Sequence, residues 1–90
     1  MRIHFKSRDP FFSKEEDGYK NNTVREIGDN DLRFDELLEI IQCDDYGARK
    51  DKIVITNPAN NLSFERLITD VSYYDERFII TWQHKKEKKK

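Results

Sequence analysis

Cysteine and glycine are both scarce in this chain of 90 residues. The chain has a single cysteine, Cys43, so it cannot form an internal disulfide bond. A lone cysteine without a disulfide is typical of proteins in a reducing compartment. Three glycines leave no phosphate-binding P-loop and no dinucleotide-binding fingerprint, because each motif needs glycines at fixed, close spacings. The chain is therefore not a nucleotide-hydrolysing or dinucleotide-binding enzyme of those two types.

Long hydrophobic runs and metal-ligand patterns are also missing. No apolar run approaches the length of a membrane span, and the first ten residues, MRIHFKSRDP, lack the apolar core of a signal peptide. We therefore expect a cytoplasmic protein that contacts no membrane. His4, Cys43 and His84 lie far apart and show no paired spacing, so we expect no metal site and no cofactor.

Charge is abundant, and its two signs are unevenly distributed. Charged residues make up 39% of the chain, hydrophobic residues 36% and aromatic residues 12%, which predicts one small folded domain with a polar surface. We place this domain at residues 1–84 and a disordered basic tail at residues 85–90. Five lysines and one glutamate give the tail a charge of +4, which leaves −5 for the domain. The tail is either a solubilising end or a contact for phosphate or nucleic acid.

Hydrophobic patterning predicts an α+β fold. Five segments are typical of strands: MRIHF, NTVREI, KIVIT, LSFERLITDVSYY and RFIITWQH. The last three follow one another closely, with a turn at DE, so we expect a meander within a small curved or barrel-like sheet. CDDYGARKD is expected to be a polar loop.

Two further segments are predicted to be helices. In the first, Asp9 is the expected N-cap, Pro10 the first helical residue and Gly18 the stop, with Phe11 and Phe12 facing the core. The second, GDNDLRFDELLEIIQ, has apolar residues near helical spacing, and either Asp29 or Asp31 can cap it; these apolar residues are Leu32, Leu37, Leu38 and Ile41.

The stretch DGYKNNTVRE, residues 17–26, contains the candidate chemistry. Within a strand Thr23 and Arg25 point to the same face, and Lys20 can fold over that face from the preceding turn. A lysine beside a guanidinium loses its proton more easily and could activate the threonine hydroxyl. The same group could instead bind a phosphate or a carboxylate, or it could be an ordinary strand start with flanking charges. Tyr19 is the aromatic side chain in this stretch that we expect to be exposed.

The order Gly18, Lys20, Thr23, Arg25 resembles the signature of ASCH domains, a branch of the PUA-like β-barrels. In that family G-x-K-x-x-[E/T]-x-[R/K] follows an N-terminal helix, and small phage and prophage proteins carry a similar run. The resemblance implies a PUA-like sheet or barrel of about five strands with two helices. It also implies a cleft lined by the motif that binds RNA or a modified nucleoside or nucleotide, with the family's conserved glycine and arginine at Gly18 and Arg25. Tyr19 joins these two as a candidate ligand-binding residue because exposed aromatic rings stack on bases.

One small bacterial branch of the family looks especially close at this motif and hydrolyses the amide of N4-acetylcytidine. Its lysine and threonine correspond by position to Lys20 and Thr23, which are therefore the candidate catalytic residues. The branch also uses a glutamate that has no aligned position here, and chemistry alone suggests Glu26 or Glu65. The chain departs from the family after Arg25, where Gly28 opens a helix instead of a turn into a strand.

Three functions therefore remain open. The first is a domain that binds RNA or a nucleoside through the motif, and the second is an amidohydrolase acting on an acylated nucleoside. The third is a protein-binding effector, such as a phage-encoded inhibitor of a host factor. Its support is the acidic clusters EED, DD and DE, which could imitate a nucleic-acid backbone.

Overall fold

A five-stranded mixed sheet and two helices form the α+β fold in a computed structural model that describes residues 1–43 and 50–83. The elements in chain order are β1 (Arg2–Lys6), α1 (Phe11–Asp17), β2 (Asn22–Arg25), α2 (Leu32–Ile41), β3 (Lys52–Thr56), β4 (Ser63–Tyr74) and β5 (Arg77–Trp82). His84, the basic tail and most of the predicted polar loop CDDYGARKD lie outside the described residues.

The strand order across the sheet is β1-β3-β4-β5-β2. Strands β3, β4 and β5 pair antiparallel in sequence order, which confirms the predicted meander. Asp75 and Glu76 form the turn between β4 and β5, both with positive φ angles of 52° and 61°. Strand β1 joins one side of the meander parallel to β3, and β2 joins the other side antiparallel to β5. The two N-terminal strands are therefore the two edges of the sheet.

These two edges approach each other. The guanidinium carbon of Arg25, on β2, lies 5.2 Å from the centre of the Phe5 ring, on β1. Such a contact between the first and last strands requires a strongly curved sheet. An irregularity in the β4–β5 pairing between Ile68 and Asp70 contributes to the curvature, because bulges bend and twist a strand. The remaining gap between β1 and β2 is where the candidate site lies.

The hydrophobic core lies inside the curve of the sheet. Strands β1, β3 and β5 alternate buried with more exposed residues, as a strand with one core face must. Helix α2 covers this face with Leu37 and Ile40, which are 0% and 1% exposed. The buried hydrophobic residues are Ile3, Phe5, Phe12, Ile27, Leu37, Ile40, Ile53, Ile55, Phe64, Ile68, Val71, Phe78, Ile80 and Trp82.

Helix α1 differs from its prediction in two respects. Its N-cap is Pro10 rather than Asp9, whose carboxylate instead accepts hydrogen bonds from the backbone N–H and the hydroxyl of Ser13, at 3.1 and 2.6 Å. Phe12 is buried, but Phe11 is 56% exposed, so the expectation that both face the core is wrong. Adjacent helical residues point about 100° apart, and a helix of seven residues buries one narrow face.

Helix α2 begins after Asp31, whose carboxylate accepts a hydrogen bond from the backbone N–H of Arg33 at 2.9 Å. Asp31 rather than Asp29 is therefore the cap, which decides between the two predicted candidates. Leu32 was expected on the apolar face but is 79% exposed. It occupies the first helical position, before the helix reaches the sheet.

Candidate functional site

The predicted motif begins at a tight turn that ends α1. Gly18 is the C-cap in the left-handed conformation, with φ of 92°, and its N–H donates to the carbonyl oxygen of Glu15 at 3.4 Å. Glycine adopts this conformation without steric cost. The N–H of Lys20 then donates to the carbonyl oxygen of Lys14 at 3.0 Å. The chain therefore folds back along α1 and brings the lysine to the start of β2.

A cleft of about 430 Å³ lies between the end of β1, helix α1 and strand β2. The structure brings Lys20, Thr23 and Arg25 together in its lining. Gly18 shapes the turn but does not line the cleft, and neither does Tyr19, which is 86% exposed. The other lining residues are Lys6, Ser7, Arg8, Phe11, Glu15, Asn22 and Val24.

Thr23 and Arg25 are joined by a hydrogen bond. The guanidinium Nε of Arg25 donates to the hydroxyl oxygen of Thr23 at 2.9 Å, which confirms that the two side chains share a face of β2. Thr23 is buried, at 4% exposure, and its register partner on β5 is the core residue Ile80. Its hydroxyl accepts from Arg25, and within residues 1–43 and 50–83 its own hydrogen remains available for donation.

A buried carboxylate, absent from the predictions, pairs with the motif lysine. The Nζ of Lys20 lies 3.2 Å from Oε2 of Glu15 and also donates to the carbonyl oxygen of Asn22. The Glu15 side chain is 1% exposed, and its other oxygen, Oε1, is buried without a hydrogen-bond donor among the described residues. Glu15 follows Phe12 by three residues, on the buried face of α1. A charged residue at an expected core position was the sequence signal that could have revealed it.

The two glutamates suggested by chemistry alone lie elsewhere. Glu26 pairs with Arg77, with 3.0 Å between Oε1 and Nη2. Glu65, on β4, pairs with Arg2 and lies 3.9 Å from the Nζ of Lys52. Neither lines the cleft, so Glu15 is the carboxylate that the described part of the chain contributes to it.

A second cleft of about 570 Å³ adjoins the first across Arg25 and Lys6, which line both. It is also lined by Arg33, whose Nη1 donates to the carbonyl oxygen of His4 at 2.9 Å and whose guanidinium lies 4.8 Å from the Phe5 ring centre. The two clefts together present five cationic side chains, namely Lys6, Arg8, Lys20, Arg25 and Arg33. A basic surface thus lies on a domain whose net charge is acidic.

The pKa of Arg25 is below its ordinary value. Burial is the main cause, Glu15 raises the pKa in opposition, and the neighbouring Arg33 lowers it further. An arginine remains charged under all ordinary conditions, so the lowered pKa means that the surroundings of Arg25 stabilise its charge less well than water does. An anion in the cleft would supply the missing stabilisation, and shifts of this kind concentrate at functional sites.

Asp31 fixes Arg33 at the second cleft, and this contact makes stability depend on pH. Hydrogen bonds from the side chain and backbone of Arg33 lower the pKa of Asp31. A carboxylate with a lowered folded-state pKa stabilises the fold above its ordinary pKa of about 3.9, and this stabilisation is lost as the pH falls through the folded-state value.

Replacing Asp31 by asparagine tests this contact, because asparagine caps helices equally well but carries no charge. We expect Asp31→Asn to melt below the wild type at pH 7, with the difference shrinking as the pH falls below about 4. Thermal unfolding followed by circular dichroism across this range measures it. Asp29→Asn, at the rejected cap position, is the control. A difference that is constant with pH would contradict the assignment.

Within residues 1–43 and 50–83, no helix is long and apolar enough to cross a membrane. In the same ranges no three histidine, cysteine, aspartate or glutamate side chains converge to hold a metal ion. Comparison with protein-family models, with curated proteins and with solved structures gives no match for this chain.

Proposed function

We propose that the chain is a small PUA-like domain of the ASCH type that binds RNA or a modified nucleoside or nucleotide in the cleft beside β2. The observation that carries the proposal is an exposed aromatic ring, Phe11, within a cleft of cationic side chains. The curved sheet and the position of the motif after α1 agree with the layout of that family.

The cations of the cleft are suited to a negatively charged ligand. Lys6 and Arg8 both line the cleft, and neither has a carboxylate within ion-pair distance in the described part of the chain. Lysine and arginine bind phosphate oxygens through charge-assisted hydrogen bonds. The affinity for a nucleic-acid strand would therefore fall with increasing salt concentration.

The exposed ring of Phe11 favours anionic ligands that also contain a planar base. Phe11 is 56% exposed, and an exposed phenylalanine beside cations is a platform on which a base can stack. A ligand that uses both the ring and the cations has a planar base and a phosphate. Single-stranded RNA and free nucleotides have unstacked bases that reach such a platform, whereas the bases of a duplex do not.

Replacing Phe11 by alanine should weaken binding to a fluorescein-labelled single-stranded RNA by about fivefold to 150-fold, equivalent to a stacking contribution of about 1–3 kcal/mol. Fluorescence anisotropy titrations of wild type and variant measure the ratio. The control is Tyr74→Ala, an aromatic that is 75% exposed and lines neither cleft. Equal affinities of wild type and Phe11→Ala would refute a base-stacking role, and absence of binding by the wild type would refute RNA as the ligand.

A second function, hydrolysis of an acylated nucleoside, is favoured by the grouping of Thr23, Lys20 and Glu15. The Thr23 oxygen would attack the acyl carbonyl, and Arg25 would stabilise the resulting oxyanion. The proton leaves Thr23 through Lys20 and reaches the departing amine, after which water releases the acyl group. Since Lys20 here donates to Glu15 and to the carbonyl of Asn22, accepting this proton requires that it first release one to Glu15.

Incubation with N4-acetylcytidine and chromatographic detection of cytidine test the second function. Thr23→Val retains the shape of the side chain but lacks the nucleophile, so we expect it to form no product, whereas Thr23→Ser should remain active. Undiminished turnover by Thr23→Val would remove the threonine from the chemistry. Circular dichroism of each variant checks that the fold is intact, because Thr23 is buried.

A further inference from the structure

Two arginines share one aromatic ring at the gap between the sheet edges. The guanidinium carbons of Arg25 and Arg33 lie 5.2 and 4.8 Å from the centre of the Phe5 ring. Arg25 comes from strand β2 and Arg33 from the first turn of α2, so different elements bring two like charges to the same place. Such a pair is unfavourable unless an opposite charge compensates it.

The protein's own hydrogen bonds orient both guanidiniums. Arg33 donates from Nε and Nη2 to the Asp31 carboxylate, with distances of 3.2 and 2.7 Å, and from Nη1 to the carbonyl oxygen of His4. Arg25 donates from Nε to Thr23. Preorganised donors of this kind lose little entropy when a ligand binds.

Donors remain unused after these contacts. Both terminal nitrogens of Arg25 lack an acceptor among the described residues, and they belong to a side chain that lines both clefts. Each terminal nitrogen of Arg33 has a second hydrogen beyond the one that its contact uses. Lys6 also lines both clefts and adds a third cation. Two carboxylates oppose this charge, Asp31 beside Arg33 and Glu15 near Arg25.

We propose that Arg25 and Arg33 form a phosphate-binding subsite at the gap between β1 and β2, so that the ligand is a phosphorylated nucleotide rather than a free nucleoside. A phosphate group has enough acceptor oxygens to bind both guanidinium forks at once, and its charge offsets their mutual repulsion. The subsite lies beside the cleft that contains Phe11, so the base and the phosphate of one nucleotide occupy adjoining clefts. The proposal rests on the proposed function.

The test compares cytidine 5′-monophosphate with cytidine by isothermal titration calorimetry. We expect the wild type to bind the monophosphate at least about tenfold more tightly, as charge-assisted bidentate contacts imply. Arg33→Gln should remove most of this preference, because it weakens binding of the monophosphate far more than binding of cytidine. Arg33→Lys, which keeps the charge but loses the fork and is the milder change, should retain part of the preference. The control is Arg77→Gln, whose arginine pairs with Glu26 and Asp75 and lines neither cleft.

The outcomes separate this proposal from the function on which it rests. Equal wild-type affinities for the two ligands, or a preference that survives in both Arg33 variants, would overturn the phosphate subsite while leaving nucleoside binding in place. Failure of the wild type to bind either ligand would overturn binding of free nucleosides and nucleotides, and the subsite with it. Inorganic phosphate is the final probe: it should displace the monophosphate and leave bound cytidine in place, and displacement of neither would count against the subsite.

Discussion

Replacing Phe78 by alanine is expected to lower the free energy of unfolding by about 3–5 kcal/mol. Phe78 is 0% exposed on strand β5, where its register partners are Tyr73 of β4 and Arg25 of β2. Its ring meets the Phe34 ring of α2 edge-on, with centroids 5.4 Å apart, and lies 4.7 Å from the Tyr73 ring. The substitution removes the transfer free energy of the ring and leaves a cavity between the helix and the sheet, and the two losses add.

A loss of this size matters because small domains have little stability in reserve. A domain of this length is typically stable by about 5–13 kcal/mol, so Phe78→Ala would remove a large share of the total. Urea unfolding at 25 °C, followed by circular dichroism, measures the change. Tyr74→Ala removes an exposed ring from the neighbouring strand and should change the free energy by less than about 0.5 kcal/mol. Similar losses in the two variants would contradict the described packing.

Local patterns made much of this fold predictable. The alternation in KIVIT gave a strand with the bounds that the structure has, Lys52–Thr56, because alternation needs only neighbouring residues. The turn at Asp75 and Glu76 and the cap at Asp31 are likewise determined by short-range hydrogen bonding and backbone conformation. The pairing of β1 with β3 has no such local signature. It depends on contacts between segments about fifty residues apart.

The candidate site was predictable only where it lies within one segment. The shared face of Thr23 and Arg25 follows from the two-residue period of a strand, and the structure confirms it. Arg33 was not predicted because it belongs to α2, outside the motif segment, and lies at the site only through its contact with the Phe5 ring. Phe11 was predicted to lie in the core because hydrophobicity alone does not show which of two adjacent phenylalanines is buried. Its exposure is decided by how α1 packs on the sheet.

Replacing Glu15 by leucine is expected to stabilise the fold and to weaken ligand binding. Glu15 loses its hydration when α1 packs, and one of its oxygens, Oε1, has no donor in the described part of the chain. The partner lysine, Lys20, is 32% exposed and can turn to water when the carboxylate is removed. Exchanging both partners of a buried ion pair for apolar side chains is often neutral or stabilising by about 1–4 kcal/mol, whereas removing one partner is destabilising if the other stays buried. Glu15→Leu is close to the first case because Lys20 can be solvated, and we expect the lower half of this range because Arg25 loses a compensating charge.

The direction in which Glu15→Leu changes the affinity for the ligand distinguishes two roles of Glu15. The carboxylate either positions Lys20 or acts only through its charge. Removal of Glu15 makes the cleft more positive by one charge, which alone would strengthen binding of cytidine 5′-monophosphate. If Glu15 instead holds Lys20 in place for the ligand, Glu15→Leu should bind about tenfold more weakly despite the added positive charge. The affinity of Glu15→Gln, which keeps the shape of the side chain and one acceptor, should lie between those of the wild type and Glu15→Leu. Tighter binding by Glu15→Leu would contradict the positioning role.

A variant that is more stable but binds less well would explain why a carboxylate occupies a core position of α1. Proteins commonly give up stability at sites where function requires charged or strained groups. The opposite result, a destabilised Glu15→Leu with normal binding, would assign the Glu15 carboxylate a structural role through its ion pair with Lys20. Lys20 would then contribute to the cleft through its charge alone, and Arg25, with Arg33 beside it, would be the main anchor for the ligand.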